Sequence, residues 1–326
     1  MHHGQLAPAA PPRAPQPIRR SILISIAVII NAGAGCGYAS DWSAQLDAKF
    51  KAHGLEPDIT LAESGEAMIE AARGAVERGV AMVVAGGGDG TINAVASVLV
   101  DTGVPFGVLP LGTLNHFAKD LRIPLTLDEA IANLAHGVAA KVDVGEVNGR
   151  VFLNNSSLGM YPDIVRDREK QQRRLGRGKW LAFCWAALAA LRRYPFLSVR
   201  LHLNGEQHAR RTPFVFIGNN EYLMQGLNIG ERARLDAGTL SLYVAQRPGR
   251  LGLVRLAFHA LSGRLAEQKD FDVLTTREMD IETRHKRLRV ATDGEVTVMN
   301  TPLRYRIRAA ALTVLVPRNQ GEPCVP

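Results

Sequence analysis

The stretch that decides the fold reads Val83-Val84-Ala85-Gly86-Gly87-Gly88-Asp89-Gly90-Thr91-Ile92-Asn93. An apolar run at 80–85 leads into the glycines, and an apolar-periodic segment at 92–100 follows them. This order predicts a strand, a tight turn and a helix. Glycine lets a ligand approach the backbone closely, and the N-terminus of the following helix favours an anion, most often a phosphate. The turn is therefore a candidate phosphate-binding loop.

Asp89 is the unusual residue of this turn. A carboxylate beside a phosphate repels it unless the carboxylate holds a metal ion, takes a proton from an attacking hydroxyl, or caps the helix. Neither a Walker loop, which needs Lys-Ser or Lys-Thr after the glycines, nor a GxGxxG fingerprint matches the sequence. A run of Gly-Gly-Gly-Asp-Gly-Thr exceeds what an ordinary glycine turn requires.

The same alternation of strand and helix extends on both sides of the turn and predicts a parallel sheet with right-handed crossovers. Ligands of such sheets bind beyond the carboxyl ends of the strands. Three loops built from Gly, Asn and Thr meet there, and we expect them to hold a nucleotide phosphate chain. Further strands are predicted at 21–30, 58–61 and 104–110, further helices at 41–51 and 65–78, and the three loops at 31–37, 86–91 and 111–116.

The composition is that of a globular protein large enough for two domains, with 326 residues of which 46% are hydrophobic and 21% charged. The net charge of +8 and the pI of about 9.7 suit nucleic acid, an anionic membrane surface or a phosphorylated substrate. Three cysteines, Cys36, Cys184 and Cys324, show neither metal-site spacing nor a disulfide pattern, which favours a reducing cytoplasm. The run at 21–30 imitates a signal peptide, but its Ile and Val content and the glycine turn after it favour a buried strand.

From residue 141 onward the pattern changes to short β-type runs, several of them separated by Asn-Gly or Asp-Gly turns. The predicted fold class is α/β, with a parallel-sheet nucleotide-binding domain at 18–145 and a mainly antiparallel β-sandwich domain at 146–318. The last strand is a candidate to return to the first domain. Residues 1–17, rich in Ala and Pro, are predicted to be a disordered tail, and 319–326 a second tail. The β-type runs are 142–147, 151–155, 198–203, 214–217, 240–245, 279–283, 288–292 and 312–316.

Two motifs carry a resemblance to a known family. Gly87-Gly88-Asp89-Gly90-Thr91 followed by Pro110-Leu111-Gly112-Thr113-Leu114-Asn115-His116-Phe117-Ala118 resembles the catalytic domain of the diacylglycerol kinase family, and Asp293-Gly294-Glu295 resembles its late acidic motif. The chain looks similar to the bacterial soluble lipid kinases, which share this domain with sphingosine and ceramide kinases. NAD kinases and phosphofructokinases share only the Gly-Gly-Asp-Gly motif. The resemblance implies a nucleotide-binding domain like that of NAD kinase and diacylglycerol kinase, then a β-sandwich domain, with the active site between them.

The resemblance also implies an activity: ATP-dependent transfer of the γ-phosphate to a hydroxyl of diacylglycerol or a related lipid, with ATP and Mg²⁺ as cofactors. Asp293 and Glu295 would be the general base and its partner, or would orient magnesium, with Asp89 as a competing base. The residues implied in ATP binding are Asn31, Gly87, Gly88, Gly90, Thr91, Thr113 and Asn115.

Two positions depart from the family pattern. Many members carry Asp in place of His116, and that Asp joins an acidic network with the equivalents of Asp89 and Asp143. An imidazole cannot bind magnesium as a carboxylate does, although it could hydrogen-bond Asp89 or a phosphate. Ala237 stands where the family usually has a carboxylate that binds a structural magnesium, and Asp236 could replace it only by a one-residue shift.

A basic run at 166–179 precedes an apolar run at 180–191, which is too short to span a bilayer. One interpretation is a helix packed on the sandwich with a solvated basic leader. The other is an interfacial element, with basic residues near anionic headgroups and two tryptophans at the boundary. Both hold if one face packs and the other meets the bilayer, and they predict a cytoplasmic protein with transient peripheral membrane association. The contact residues would be Arg173, Arg174, Lys179, Trp180 and Trp185.

Two other functions stay open. An NAD kinase-like enzyme fits the Gly-Gly-Asp-Gly turn but leaves the segment at 112–118 unexplained. A catalytically impaired regulator that binds lipid or nucleotide would explain His116 and Ala237, but the retained acidic residues argue against it. The expected partners are ATP and a lipid substrate at an anionic membrane surface. No nucleic acid is expected, because the arginines are not interleaved with an aromatic stacking platform. The oligomeric state is open, a homodimer being one option.

Overall fold

The computed structural model describes residues 24–33, 42–159, 197–225, 228–232, 234–245 and 271–318. An N-terminal parallel-sheet domain is followed by an antiparallel β-sandwich, which confirms the predicted α/β fold class. The predicted tails at 1–17 and 319–326, the basic and apolar runs at 166–191, and residues 34–37 of the first predicted loop lie outside the described residues. Within the described part of the chain, no helix is long and apolar enough to cross a membrane.

The N-terminal domain alternates strands and helices as predicted. Its four parallel strands lie in the order β2-β1-β3-β4, so the direction of winding reverses between β1 and β3. Every residue of β3 and β4 is buried, because apolar helices and strands cover both faces of this sheet. The elements are β1 Ile24–Asn31, α1 Trp42–Ala52, β2 Leu55–Ala62, α2 Gly65–Glu77, β3 Val83–Gly87, α3 Asp89–Leu99, β4 Phe106–Pro110, α4 His116–Asp120 and α5 Leu127–His136.

Helix α3 begins earlier than the sequence predicted. Gly88 is extended, with φ −86° and ψ −178°, and its carbonyl accepts a hydrogen bond from the Ile92 N–H at 3.0 Å. Gly88 therefore occupies the N-cap position, and Asp89, Gly90 and Thr91 form the first turn of the helix instead of belonging to the loop. The predicted start at Ile92 was wrong because the apolar period begins one turn after the backbone helix does.

The second half builds two sheets. A six-stranded sheet has the order β14-β13-β10-β7-β16-β17, and the ten-stranded sheet continues from β4 through β18, β15, β8 and β9. Leucine, valine and isoleucine side chains fill the space between the two sheets. The strands are β5 Val138–Val147, β6 Arg150–Phe152, β7 Asn155–Gly159, β8 Leu197–Leu203, β9 Glu206–Thr212, β10 Phe214–Asn219, β11 Tyr222–Gln225, β12 Asn228–Arg232, β13 Leu240–Ala245, β14 Phe271–Thr276, β15 Glu278–Thr283, β16 Arg287–Thr292, β17 Glu295–Asn300 and β18 Leu303–Val316.

Strand β18 joins the two domains. It pairs in parallel with β4, where Val314 lies opposite Phe106, and it pairs antiparallel with β5 and β15. A single sheet therefore runs through both domains, and it fixes the glycine-rich end of the first domain relative to the sandwich.

The Asn148-Gly149, Asn204-Gly205 and Asp293-Gly294 pairs form two-residue hairpin turns, and both residues of each have positive φ. This is the type I′ geometry that Asn-Gly and Asp-Gly pairs adopt between antiparallel strands. The predicted strand at 151–155, in contrast, is broken. It ends at Phe152 and a new strand starts at Asn155, because the Leu153 and Asn154 N–H groups bind the Asp293 carboxylate.

Candidate active site

The glycine-rich loop lies at the point where the sheet reverses direction. Strands β1 and β3 are neighbours, and the side chain that ends β1 reaches the first turn of α3: Asn31 Nδ2 donates to Thr91 Oγ1 at 3.0 Å. Asn31 Oδ1 accepts a hydrogen bond from the Gly33 N–H at 2.9 Å. Crevices at such reversal points are the usual ligand sites of open parallel sheets. The structure thus brings Asn31 and Thr91 together beside the candidate phosphate loop.

The N-terminus of α3 is left open for a ligand. Its N-cap residue, Gly88, has no side chain to accept hydrogen bonds from the first-turn N–H groups. Gly90 is exposed, and a methyl group added there would meet no atom within 4 Å. The unsatisfied N–H groups and the helix dipole make this end of α3 suited to an anion.

Two other glycines are needed for packing. A side chain at Gly87 would collide with Thr91, and one at Gly112 would collide with the Cα of Gly88. The loop after β3 and the loop after β4 therefore touch backbone to backbone, and the Leu111 N–H donates to the Gly87 carbonyl at 3.1 Å.

Asn115 braces the second loop. It is buried with φ 50°, and its side chain bonds the Gly112 N–H at 3.1 Å, the Gly112 carbonyl at 2.8 Å and the Pro110 carbonyl at 3.2 Å. Thr113 and His116, on either side of it, are exposed. The amide of Asn115 thus shapes the loop, whereas Thr113 and His116 face outward and remain available to a ligand.

Asp89 connects the two loops. It is half-buried in the first turn of α3, and its Oδ1 accepts a hydrogen bond from the Phe117 N–H at 3.3 Å. Oδ2 accepts no hydrogen bond from any residue that the structure describes. Asp89 therefore fixes α4 through one oxygen and leaves the other free toward the crevice.

Asp293 sits in the β16–β17 hairpin turn, at φ 49°. Its Oδ1 accepts hydrogen bonds from the Asn154 and Asn155 N–H groups at 2.8 and 3.0 Å, and its Oδ2 accepts one from Leu153 at 2.7 Å. A carboxylate has about four lone-pair sites, so one site on Oδ2 is left among the described contacts. Burial raises the pKa of Asp293 to about 6, although these N–H groups and Arg232 oppose the shift.

Glu295, the other acidic residue of the motif, has a different environment. Its side chain is 72% exposed and forms an ion pair with Arg150, whose Nε donates to Thr292 Oγ1 at 3.0 Å. The two carboxylates of the Asp-Gly-Glu motif are therefore distinct, one enclosed by backbone N–H groups and one at the surface.

Among the described residues, no direct hydrogen bond links Asp89, Asp143 and His116, and the partners of Asp143 are backbone groups. Asp143 is 1% exposed, and its oxygens accept the Ala310 N–H at 2.8 Å and the Gly238 N–H at 2.6 Å. Asp236 instead pairs with Arg234 at 2.8 Å on the surface. In the ranges that the structure covers, no three His, Cys, Asp or Glu side chains lie close enough to hold a metal ion.

These residues do not fit a structural magnesium. Magnesium needs several oxygen ligands, but Asp143 is the single buried carboxylate of this set, Asp236 is paired with Arg234 at the surface, and the Ala237 side chain offers no oxygen. Asp89, with one oxygen free beside a helix N-terminus, does fit a magnesium ion that arrives with ATP, because Mg²⁺ commonly binds one or two carboxylates together with substrate phosphates.

Sequence reasoning missed a buried arginine. The Arg232 side chain is 0% exposed and pairs with Asp120, which is itself 5% exposed, with Nη2–Oδ2 at 2.7 Å. Arg234, two residues later, is 65% exposed, so the residue type alone could not show that Arg232 is buried and Arg234 is not. The doublets Asn154-Asn155 and Asn219-Asn220 were a usable signal, because amides at the ends of buried strands need partners. The side chain of Asn154 does accept a hydrogen bond from Arg232, whereas Asn219 contacts Arg232 through its backbone carbonyl.

The predicted membrane contacts Arg173, Arg174, Lys179, Trp180 and Trp185 lie outside the described residues.

Two family models match this chain. The model described as diacylglycerol kinase catalytic domain matches residues 25–147, and the model described as YegS C-terminal NAD kinase beta sandwich-like domain matches residues 162–316. The loops at 86–91 and 111–116 fall within the first match, and Arg232 and Asp293 fall within the second.

Relatives agree with the models. The chain is 31% identical over 255 residues to a diacylglycerol kinase of Mycobacterium tuberculosis (strain CDC 1551 / Oshkosh), covering 75% of this chain and 80% of that protein. It is 34% identical over 186 residues to an Enterobacter sp. (strain 638) protein named "Probable lipid kinase YegS-like", covering 54% of this chain and 60% of that protein. A solved diacylglycerol kinase structure from Bacillus anthracis str. Sterne shares the fold, with a TM-score of 0.65 at 21% identity, over 90% of this chain and 97% of that one. This chain belongs to the diacylglycerol kinase family of lipid kinases.

Proposed function

We propose that this protein is an ATP-dependent kinase that transfers the γ-phosphate of ATP to a hydroxyl of diacylglycerol or a related lipid. The observation that carries the proposal is the Asp293 carboxylate. It is held by three backbone N–H groups, keeps one lone-pair site free, and has a pKa of about 6. A base suits proton abstraction near neutral pH when its pKa lies close to the working pH.

The open N-terminus of α3 would bind the phosphates of ATP. Gly88 and Gly90 leave the first-turn N–H groups accessible, Gly87 permits the tight packing behind them, and Asn31 and Thr91 fix the neighbouring strand end. From the second loop, Thr113 would add a hydroxyl, and Asn115 would act by holding that loop in place. Magnesium bound with ATP would offset the phosphate charge, and the free oxygen of Asp89 would hold it.

In the chemical step, the lipid hydroxyl oxygen would attack the γ-phosphorus as its proton passes to Asp293 Oδ2. The bond from the γ-phosphorus to the β–γ bridging oxygen breaks, and ADP leaves with that electron pair. Positioning and charge stabilisation supply most of the catalysis in such transfers. Glu295 is a weaker candidate base because it is exposed and already paired with Arg150. Asp89 is better placed to face the phosphates than the acceptor hydroxyl.

The lipid would be reached at an anionic membrane surface by a cytoplasmic protein. The net charge of +8 supports this proposal, as do the basic and tryptophan-containing sequences around Arg173, Arg174, Lys179, Trp180 and Trp185.

The test is transfer of labelled phosphate from [γ-³²P]ATP with Mg²⁺ to diacylglycerol, a sphingoid base, phosphatidylglycerol or NAD, with and without phosphatidylglycerol vesicles. Label in a lipid, stimulated by the vesicles, supports the proposal. Label in NAD alone would overturn it in favour of an NAD kinase-like enzyme, and binding of ATP with no transfer to any acceptor would favour a regulator.

A further inference from the structure

The buried guanidinium of Arg232 makes four hydrogen bonds and an ion-pair contact. Nε and Nη2 contact Asp120 Oδ2 at 2.8 and 2.7 Å, and Nη2 also donates to Asn154 Oδ1 at 2.8 Å. Nη1 donates to the carbonyls of Leu153 and Asn219 at 2.7 and 3.0 Å. One planar group therefore joins helix α4 of the first domain to two strand ends of the second.

In the second domain, Arg232 contacts the segment that holds Asp293, the candidate base. Arg232 binds the carbonyl of Leu153 and the side chain of Asn154, and the N–H groups of these same residues, with that of Asn155, hold Asp293. The segment 153–155 is thus fixed from one side by Arg232 and grips Asp293 on the other. A shift of the guanidinium would move the carboxylate with it.

In the first domain, the partner of Arg232 is Asp120, which belongs to a helix that contacts the candidate phosphate loop. Asp120 is the last residue of α4, and near the start of that helix the Phe117 N–H donates to Asp89. Helix α4 is only five residues long and lies between the two contacts. Asp89 and Asp293 are therefore connected through helix α4, the Asp120–Arg232 ion pair and the segment 153–155.

The buried ion pair between Arg232 and Asp120 contributes little net stability to the fold. Desolvation of two charges largely cancels their attraction, and buried pairs can often be replaced by apolar residues without loss of stability. A pair of this kind fixes the relative position of the groups that it joins, because breaking it leaves an unpaired buried charge.

We propose that Asp120 and Arg232 are positioning residues that set the distance between the ATP phosphates and the Asp293 carboxylate. The inference rests on the proposed function, in which Asp293 is the base and α3 binds ATP. Neither residue needs to touch a substrate. A misplacement of about 1 Å between reacting groups can cost roughly 100-fold in rate.

The test measures kcat and KM for ATP and lipid in Arg232→Lys and Asp120→Glu. Lysine keeps the charge but cannot reproduce the planar fork, and glutamate keeps the ion pair but lengthens it by one methylene. We expect kcat to fall roughly 10- to 100-fold in each, with KM for ATP within about threefold of wild type. Arg306→Lys is the control for the Arg-to-Lys change itself, because Arg306 also pairs with a buried carboxylate, Glu146, at 2.9 and 3.0 Å, but is 60% exposed and contacts none of the site residues. Its kcat should stay within about twofold of wild type.

The pH profile separates positioning from a general loss of folded protein. Asp293 is faced by Arg232 from β12 and Tyr222 from β11, with Asp120 behind the arginine and Glu295, held by Arg150, on its own hairpin. Arg232→Met removes the cation that favours the ionised carboxylate, so the acidic limb of kcat/KM should move to higher pH. In Arg232→Lys the limb should stay in place.

The outcomes distinguish the inference from the function on which it rests. No lipid phosphorylation by wild type would overturn both. An active wild type with unchanged kcat in Arg232→Lys and Asp120→Glu would overturn the positioning role and leave the lipid kinase intact. If the thermal unfolding curve shows that Arg232→Lys does not fold, the kcat of Asp120→Glu alone tests the positioning role.

Discussion

The two halves of the candidate site are built in opposite ways. At the N-terminus of α3, backbone N–H groups have no side-chain cap, Gly90 borders open space, and Thr113 and His116 face outward. Around Asp293 nearly every polar group has a protein partner: three N–H groups for the carboxylate and five acceptor contacts for Arg232. The first half therefore exposes polar groups to solvent, whereas in the second the protein's own groups satisfy one another.

This difference predicts how substitutions divide. Changes at the exposed residues of the open end should weaken ligand binding without lowering stability, because no protein contact is lost. Changes in the saturated half should alter the chemical step and also stability, because each leaves a buried polar group without its partner.

The largest effect is expected from Asp293→Asn. Removal of a general base typically costs 100- to 10,000-fold, roughly 3–5 kcal/mol in the barrier, so kcat should fall within that range. Steady-state phosphorylation of lipid measures it. The amide also turns an N–H donor toward the Leu153 N–H, so the unfolding midpoint should drop. Asp58→Asn, which removes an exposed carboxylate paired with Arg78, is the control and should change neither quantity. A rate near that of wild type in Asp293→Asn would remove this residue from the mechanism.

The next effect concerns folding at the contact between the two loops. In Gly112→Ala the new methyl group would collide with the Cα of Gly88 and lie 2.8 Å from Asn115 Oδ1. Overpacking of this kind costs about 1–3 kcal/mol, which urea unfolding would show as a lower free energy of unfolding. Unchanged stability would mean that the loops do not touch as described.

The pH dependence of the wild-type enzyme comes next. The proposed base acts in its ionised form, and the pKa of Asp293 is about 6. As pH falls below that value the ionised fraction decreases, so kcat/KM should fall by about tenfold per pH unit. A profile that stays flat down to pH 5 would exclude Asp293 as the base.

The smallest effect is expected from Gly90→Ala. The methyl group meets no protein atom, so the free energy of unfolding should be unchanged or raised by about 0.4–1 kcal/mol. It would occupy the space of a bound phosphate, so the Kd for ATP should rise roughly tenfold, about 1.4 kcal/mol. Gly65→Ala is the matched control, because Gly65 is also an unobstructed glycine in the first turn of a helix. It should leave ATP binding alone, and equal Kd values for the two variants would place ATP elsewhere.

Local sequence signals predicted much of the fold. The Asn148-Gly149, Asn204-Gly205 and Asp293-Gly294 turns appear where expected, because their positive φ values depend only on the two residues themselves. The start of α3 was misplaced by three residues because Gly88, without an apolar or polar side chain, gives no periodic signal as an N-cap.

Local sequence signals could not predict contacts between residues that are far apart in the chain. The break after Phe152 depends on Asp293, which follows Leu153 by 140 residues. The burial of Arg232 depends on Asp120, which precedes it by 112 residues. The roles of Asp89 and Asp293 were predicted from the family resemblance, and they stay predictions until the variants are measured.

The most direct test compares Gly90→Ala and Asp293→Asn in two assays: the Kd for ATP, and the single-turnover rate of lipid phosphorylation at saturating ATP. We expect Gly90→Ala to weaken ATP binding and keep a single-turnover rate close to wild type, whereas Asp293→Asn should bind ATP normally and lose the transfer step. Normal ATP binding by Gly90→Ala together with normal transfer by Asp293→Asn would contradict this expectation.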